Sequence, residues 1–172
     1  MNTPDLGELD GPMQDPITAN LYVSLDSQDQ PLPMAYRNLV KRTEQWPVTQ
    51  ATPESPARLP KTARDMYALG FYAYDLAASS CTWALFAVEA ALTQRLNKPK
   101  ATRAEAIKLA EQQGLISGGA GDVLEAGRKL RNAFVHGGKQ PTWTFATSVD
   151  IIRVSHQVVA DLYSDTVVPQ QP

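Results

Sequence analysis

The sequence has one cysteine, Cys81, and two histidines, His136 and His156, in 172 residues. A lone cysteine excludes an internal disulfide framework and any multi-cysteine zinc site. Two widely separated histidines among scattered carboxylates supply no metal-ligand spacing, so neither a metal nor another cofactor is expected. Long hydrophobic runs are also missing. The most apolar stretch, "WALFAVEAAL", is short and interrupted by Glu89, and no membrane span is expected from it. The first residues, "MNTPDLGELDGPMQDP", lack the basic region and apolar core of a secretory signal, which makes a cytoplasmic protein the simplest expectation. Basic charge is not in excess: 16 Lys and Arg stand against 18 Asp and Glu. That balance argues against a protein that coats nucleic acid through charge alone. A local basic cleft remains compatible with it, because the charge is uneven. Asp5, Glu8, Asp10 and Asp15 load the N-terminus with acid, whereas Arg128, Lys129, Arg131 and Lys139 cluster together.

What the chain does have is helical periodicity. Residues 1–16, acidic and rich in Pro and Gly, read as loosely attached. "ITANLYVSL" is strand-like, and "MAYRNLVKRTEQW" fits a short helix ended by Pro47. The segment "PVTQATPESPARLP", with its four prolines, reads as an irregular connection. From Thr62 to about Leu96 no proline occurs, and Met66, Leu69, Ala73, Leu76, Trp83, Ala87 and Ala91 recur at helical spacing. One long helix, bent near Gly70 and opened by a Thr62/Asp65 capping box, is the expectation. Thr102 and Glu105 form a better box and start a short helix that Gly114 stops. After the turn "SGGAGD", a third helix runs from Asp122 to His136, with Gly137 and Gly138 as its stop. A last helix covers about Phe145 to Tyr163. The expected architecture is all-α: an antiparallel four- to five-helix bundle over residues 60–165, behind an irregular extension (1–59) and before a tail (166–172). Cys81 falls inside this helical, apolar region, where a buried reduced thiol is expected rather than a nucleophile.

The stretch "EAGRKLRNAFVHGGKQ" carries residues that helix packing does not require. Asn132 and His136 lie four apart and share a helix face. Arg131, five before His136, sits about 140° around the axis from it. The two converge if both flank a cleft, or if the last turn loosens at the glycines. A helix C-terminus favours the protonated imidazolium. A titrating imidazole beside a planar guanidinium suits phosphodiester chemistry: histidine moves the proton and arginine holds phosphate oxygens. Roughly one shuffled chain in ten of this composition would place an Arg five residues before a His, and far fewer would add the Asn.

"LRNAFVHG" near the end of a bundle helix resembles the Arg-x4–6-His signature of the HEPN superfamily, in which a polar residue, often Asn, follows the Arg. "LFAVEAALTQRL" is also similar to the long-helix pattern of such domains. The resemblance spans about Pro60 to Asp165, with Arg131, Asn132 and His136 as its sharp part. It implies a metal-independent endoribonuclease of a toxin–antitoxin or antiphage setting, with RNA as substrate and catalytic residues Arg131, Asn132 and His136. It also implies a homodimer with the motif at a shared cleft, and a cognate antitoxin or defence-system protein as partner. Some members have lost activity and serve as non-catalytic modules that bind a partner protein or nucleotide. One departure matters: in members silenced by a partner nucleotidyltransferase, a tyrosine stands two residues after the histidine, and here that residue is Gly138.

Around the motif, Arg128, Lys129 and Lys139 are candidate phosphate contacts, with solvated helix ends as the alternative. Glu89, flanked by Leu85, Phe86, Val88 and Leu92, is expected either to pair with Arg131 or Arg128 across the bundle or to reach solvent. His156, among valines, fits a core or edge histidine. Trp83, Tyr67, Tyr72 and Tyr74 could stack bases, although aromatics at helical spacing usually belong to a core or interface.

Overall fold

A computed structural model describes residues 13–25, 28–47, 52–117, 119–137 and 145–164. The chain is mostly helical and forms an all-α bundle. A short antiparallel hairpin of β1 (Tyr22–Leu25) and β2 (Pro31–Pro33) precedes α1 (Tyr36–Glu44). Then follow α2 (Glu54–Leu69), α3 (Asp75–Leu96), α4 (Arg103–Gln112), α5 (Ala120–Gly137) and α6 (Phe145–Leu162). Helix α3 is the central element: α2 and α6 pack along it, and α4 and α5 complete its surround. Its interior positions Cys81, Ala84, Leu85, Val88, Ala91 and Leu92 are all buried. Each large aliphatic among them contributes about 1.5–3 kcal/mol relative to exposure. By length and composition alone α3 could cross a membrane, but 56% of its most apolar window is buried inside the protein. That burial is what a core helix wrapped by neighbours requires.

The expected single helix from Thr62 to Leu96 is two helices. The break at Gly70–Tyr74 is set by contacts from elsewhere in the chain. A Cβ at Gly70 would stand 2.9 Å from Phe145 Cζ and 3.0 Å from the Tyr67 carbonyl oxygen, so α6 approaches here only because the residue is glycine. Asp15 completes the break. Its carboxylate accepts from the Tyr74 N–H at 3.0 Å and the Ile17 N–H at 2.8 Å, and its own N–H donates to the Phe71 carbonyl at 3.1 Å. A carboxylate distant in sequence therefore satisfies an amide at the start of α3 that no local side chain caps. Those two N–H donors hold the Asp15 carboxyl below its usual value. Residues 13–15 are thus part of the structure rather than loosely attached; residues 1–12 lie outside the described residues.

Other boundaries differ for similar reasons. The strand expected over residues 17–25 is confined to β1, because the Thr18 hydroxyl, 2.8 Å from both the Asp15 and Phe71 carbonyls, holds a 3₁₀ turn before it. The supposed irregular connection ends at residue 53, where α2 begins. Pro56 occupies the first turn, where an N–H would have no helical partner, and the helix accepts Pro60 at the loss of one interior bond. Thr62 and Asp65 are consequently mid-helix. The Thr62 hydroxyl donates to the Arg58 carbonyl, and Asp65 pairs with Lys61 at 2.8 Å. The segment before residue 60 is not a separate extension: Met34, Leu39 and Trp46 are buried in the same core as α3 and α6.

Where local signals are strong, the elements match expectation. The Thr102/Glu105 box is formed in both directions, and Gly114, at φ +66°, stops α4 just past its C-cap. Asn97, at φ +50°, closes α3. The expected tail, residues 166–172, lies outside the described residues.

Candidate functional site

Helix α5 carries the motif. It starts directly after Gly119, whose φ of +88° reverses the chain, and the Gly121 N–H donates to Glu111 of α4 at 3.3 Å. At Gly127 a Cβ would meet Ile151 at 3.2 Å and Leu85 at 3.4 Å, so α5 lies close to both α6 and α3 at its middle. Arg131, Asn132 and His136 follow in its last two turns. With regular helix through Gly137, Asn132 and His136 share a face about 6 Å apart along the axis, and Arg131 lies on an adjoining one. Asn132 is half-buried. The side chains of Arg131 and His136, and the whole of Lys139 and Gly138, fall outside the described residues.

The neighbouring charges described on α5 and α3 lie at or near the surface. Arg128 grips Glu125 one turn back with two hydrogen bonds, Nε at 2.7 Å and Nη2 at 2.6 Å. This bidentate bond lowers the Glu125 carboxyl and raises the Arg128 guanidinium from their usual values. Glu125 thereby takes two of the five N–H donors of the Arg128 guanidinium. Lys129 is exposed on the outer side of α5. Arg128, taken by Glu125, is not the partner of Glu89, and a pairing with Arg131 lies outside the described residues. Glu89 is exposed, and its carboxylate bonds Arg103 Nη2. The reason is angular: Glu89 shares the outer stripe of α3 with Phe86 and Thr93, while Leu85, Val88 and Leu92 turn inward.

Arg103, the first residue of α4, is the cation sequence reasoning missed. Its side chain is 9% exposed, and among the described residues Nε and Nη1 meet no partner. Nothing in its local sequence distinguishes it from an ordinary first-turn residue.

A second constellation lies between α2 and α6. His156 is 2% exposed, as a core histidine should be. Its Nδ1 stands 3.3 Å from the Pro47 carbonyl, and its ring centroid is 5.4 Å from that of Trp46. A carbonyl can only accept, so Nδ1 carries the proton of the neutral ring. Among the described residues, Nε2 makes no hydrogen bond within ordinary distance and angle. Burial, reinforced by the Arg64 guanidinium, pushes the imidazole down to about 4, against the opposing pull of the Pro47 and Pro60 carbonyls. Arg64 donates from Nη2 to the Trp46 carbonyl, its Nε has no partner among the described residues, and its guanidinium is lowered by its own desolvation. Both residues line a cavity of about 340 Å³.

The remaining candidates are structural. Cys81 is fully buried, its thiol 3.5 Å from the Ala77 carbonyl, and burial pushes it up to about 12, far from a thiolate nucleophile. Tyr67 is wholly buried against Trp46 and Phe145, and Tyr72 and Tyr74 pack on Tyr36 and Phe145. Trp83 alone of the four is exposed, edge-on to Phe86. Among the described residues, no three His, Cys, Asp or Glu side chains gather as a metal site would need. No protein-family model, curated protein or solved structure matches the chain.

Proposed function

We propose that the protein is a HEPN-type, metal-independent endoribonuclease that works in the cytoplasm, in a toxin–antitoxin or antiphage defence setting. One observation carries this reading: Arg131, Asn132 and His136 occupy the last two turns of a single helix in an all-α bundle, with the four-residue spacing that places Asn132 and His136 on one face. In the reaction, the ribose 2′-oxygen attacks phosphorus and the 5′-oxygen leaves. His136 acts as base on the 2′-hydroxyl or as acid on the 5′-oxygen. Arg131 stabilises charge developing on the phosphorane, and Asn132 orients the imidazole or the phosphate. The products are a 2′,3′-cyclic phosphate and a 5′-hydroxyl. One copy supplies one motif histidine, so a symmetric dimer would place a second His136 opposite to divide the acid and base roles. Incubating RNA with the protein in EDTA, beside His136→Ala, tests the proposal.

The second reading is a non-catalytic helical module of the same type that binds a partner protein or nucleotide. Its support is the Glu125–Arg128 pair, which neutralises a cation less than one turn from Arg131. Phosphate recognition by the remaining cations would make RNA affinity fall steeply with salt, whereas a partner-binding module would show weak, salt-independent affinity.

A further inference from the structure

We propose that the exposed hydrophobic surface around the α2–α3 break is where a second copy of this chain docks, bringing the ends of the two α5 helices together. The proposal rests on reading the α5 motif as a ribonuclease centre that takes a histidine from each copy. Among the described residues, the exposed large hydrophobics are unevenly placed. Met13, Ile17, Tyr22, Tyr36 and Leu69 gather around this break, and Trp83 lies elsewhere on α3. Printed contacts tie the group together. The Thr18 hydroxyl, beside Ile17, donates to the Phe71 carbonyl at 2.8 Å, and the Tyr36 ring is 5.5 Å from that of Tyr72. The Tyr72 N–H donates in turn to the Leu69 carbonyl at 2.9 Å. Tyr22 follows Leu21, whose carbonyl accepts from the Met34 N–H, two residues before Tyr36. The carboxylate within the group, Asp15, is occupied by the Ile17 and Tyr74 amides. The five side chains expose on the order of 500 Å². That is the size at which an exposed patch marks an interaction site, and it supplies the centre of an interface of about 800 Å² per partner.

The position of α5 selects the occupant. Cys81 meets the Ser148 carbonyl at 3.8 Å and Gln94 meets the Tyr163 hydroxyl at 3.0 Å, so α3 and α6 run parallel and start at the same end. The connection between α5 and α6, residues 138–144, is short, which makes α5 antiparallel to both. Helix α5 packs on Leu85 and Ile151 at Gly127. From Gly127 to Gly137, and from Leu85 back to Asp75, is the same ten residues, about 15 Å of helix. The last turn of α5 is therefore level with the break and with the patch around it. A two-fold contact through this end is isologous and sets one α5 end near the other. A contact through the far end of α3, 22 residues and about 33 Å away, would keep them apart. One copy carries one motif histidine, so an acid and a base drawn from two His136 residues require the first arrangement.

The test is analytical ultracentrifugation of the full chain without RNA, which is expected to show a dimer at micromolar concentration. Leu69→Lys and Ile17→Lys each place a lysine on both sides of an isologous contact, and should raise the dissociation constant about tenfold or more. A lysine in the last turn of α2 suits the helix dipole, and Ile17 is 54% exposed, so both variants should still melt cooperatively. Trp83→Lys, outside the patch, should leave the dimer unchanged. A parent that is monomeric at micromolar concentration overturns the assignment. So does a dimer that both patch variants leave intact, or that Trp83→Lys weakens as much as they do. RNA cleavage is read separately on the same samples. Cleavage lost together with the dimer supports the shared centre, and cleavage undiminished in the monomeric variants overturns it. A dimer dissolved by both patch variants, with no cleavage by the parent, upholds the interface and counts against the ribonuclease instead.

Discussion

His156→Gln isolates the consequence of burying a neutral imidazole. In the folded protein the ring gains its proton only near pH 4, whereas in the unfolded chain it does so near the ordinary value of 6.5. Between these values the unfolded state binds more protons than the native state, so stability falls as pH falls. The slope is about 1.4 kcal/mol per pH unit, which amounts to about 2 kcal/mol by pH 5 and about 3 kcal/mol at pH 4. Above pH 6.5 the contribution is constant. Glutamine has no such titration, and the carboxylates of the two proteins titrate alike, so the difference between them reports His156 alone. At pH 7.5 the variant should be the less stable, having lost the ring packed 5.4 Å from Trp46. Urea denaturation followed by circular dichroism, repeated from pH 7.5 to 4.5, should show that deficit shrinking by about 2 kcal/mol by pH 5. Parallel stability curves for the two proteins would refute the reasoning, because His156 would then titrate alike in both states.

Two further outcomes follow from the α2–α3 break. At Gly70 the φ of −56° suits any residue, so alanine gains up to about 1 kcal/mol in backbone entropy, but its Cβ would force Phe145 away from a 2.9 Å contact. Overpacking should win, and Gly70→Ala is expected to lose about 1–2 kcal/mol in urea denaturation; a more stable variant would show that Phe145 has room to move. Asp15→Ala removes the acceptor for the Tyr74 N–H and should cost about 1 kcal/mol while speeding exchange of that amide, whereas Asp15→Asn, which can still accept, should restore most of both.

The helices that local sequence specifies were legible from it. The Thr102/Glu105 box, the glycines around α4 and α5 and the periodicity of α6 all act within a few residues of the boundaries they set. The α2–α3 break was not legible, because its determinants, Asp15 and Phe145, lie far from it in sequence. Pro56 and Pro60 misled in the opposite direction: a first-turn proline is harmless, and the packing of α2 on α3 and α6 outweighs the bond that Pro60 forfeits. At the site, the sequence located Arg131, Asn132 and His136 on one helix end, since their spacing is a local property. It could not assign ion-pair partners. For Glu89 the sequence left open a cross-bundle pair or a reach to solvent; it turns outward to Arg103, a contact only the placement of α4 on α3 creates. The Arg64–His156 cavity was equally invisible, because α2 and α6 supply it from opposite ends of the bundle sequence.

The most direct measurement is RNA cleavage in EDTA by the purified protein, with His136→Ala and Arg131→Ala beside it and the products' ends identified. The proposed chemistry predicts 2′,3′-cyclic phosphate and 5′-hydroxyl ends from the parent, and a loss of about 10²-fold or more in either variant. Cleavage that persists in His136→Ala, or that requires a divalent metal, contradicts it.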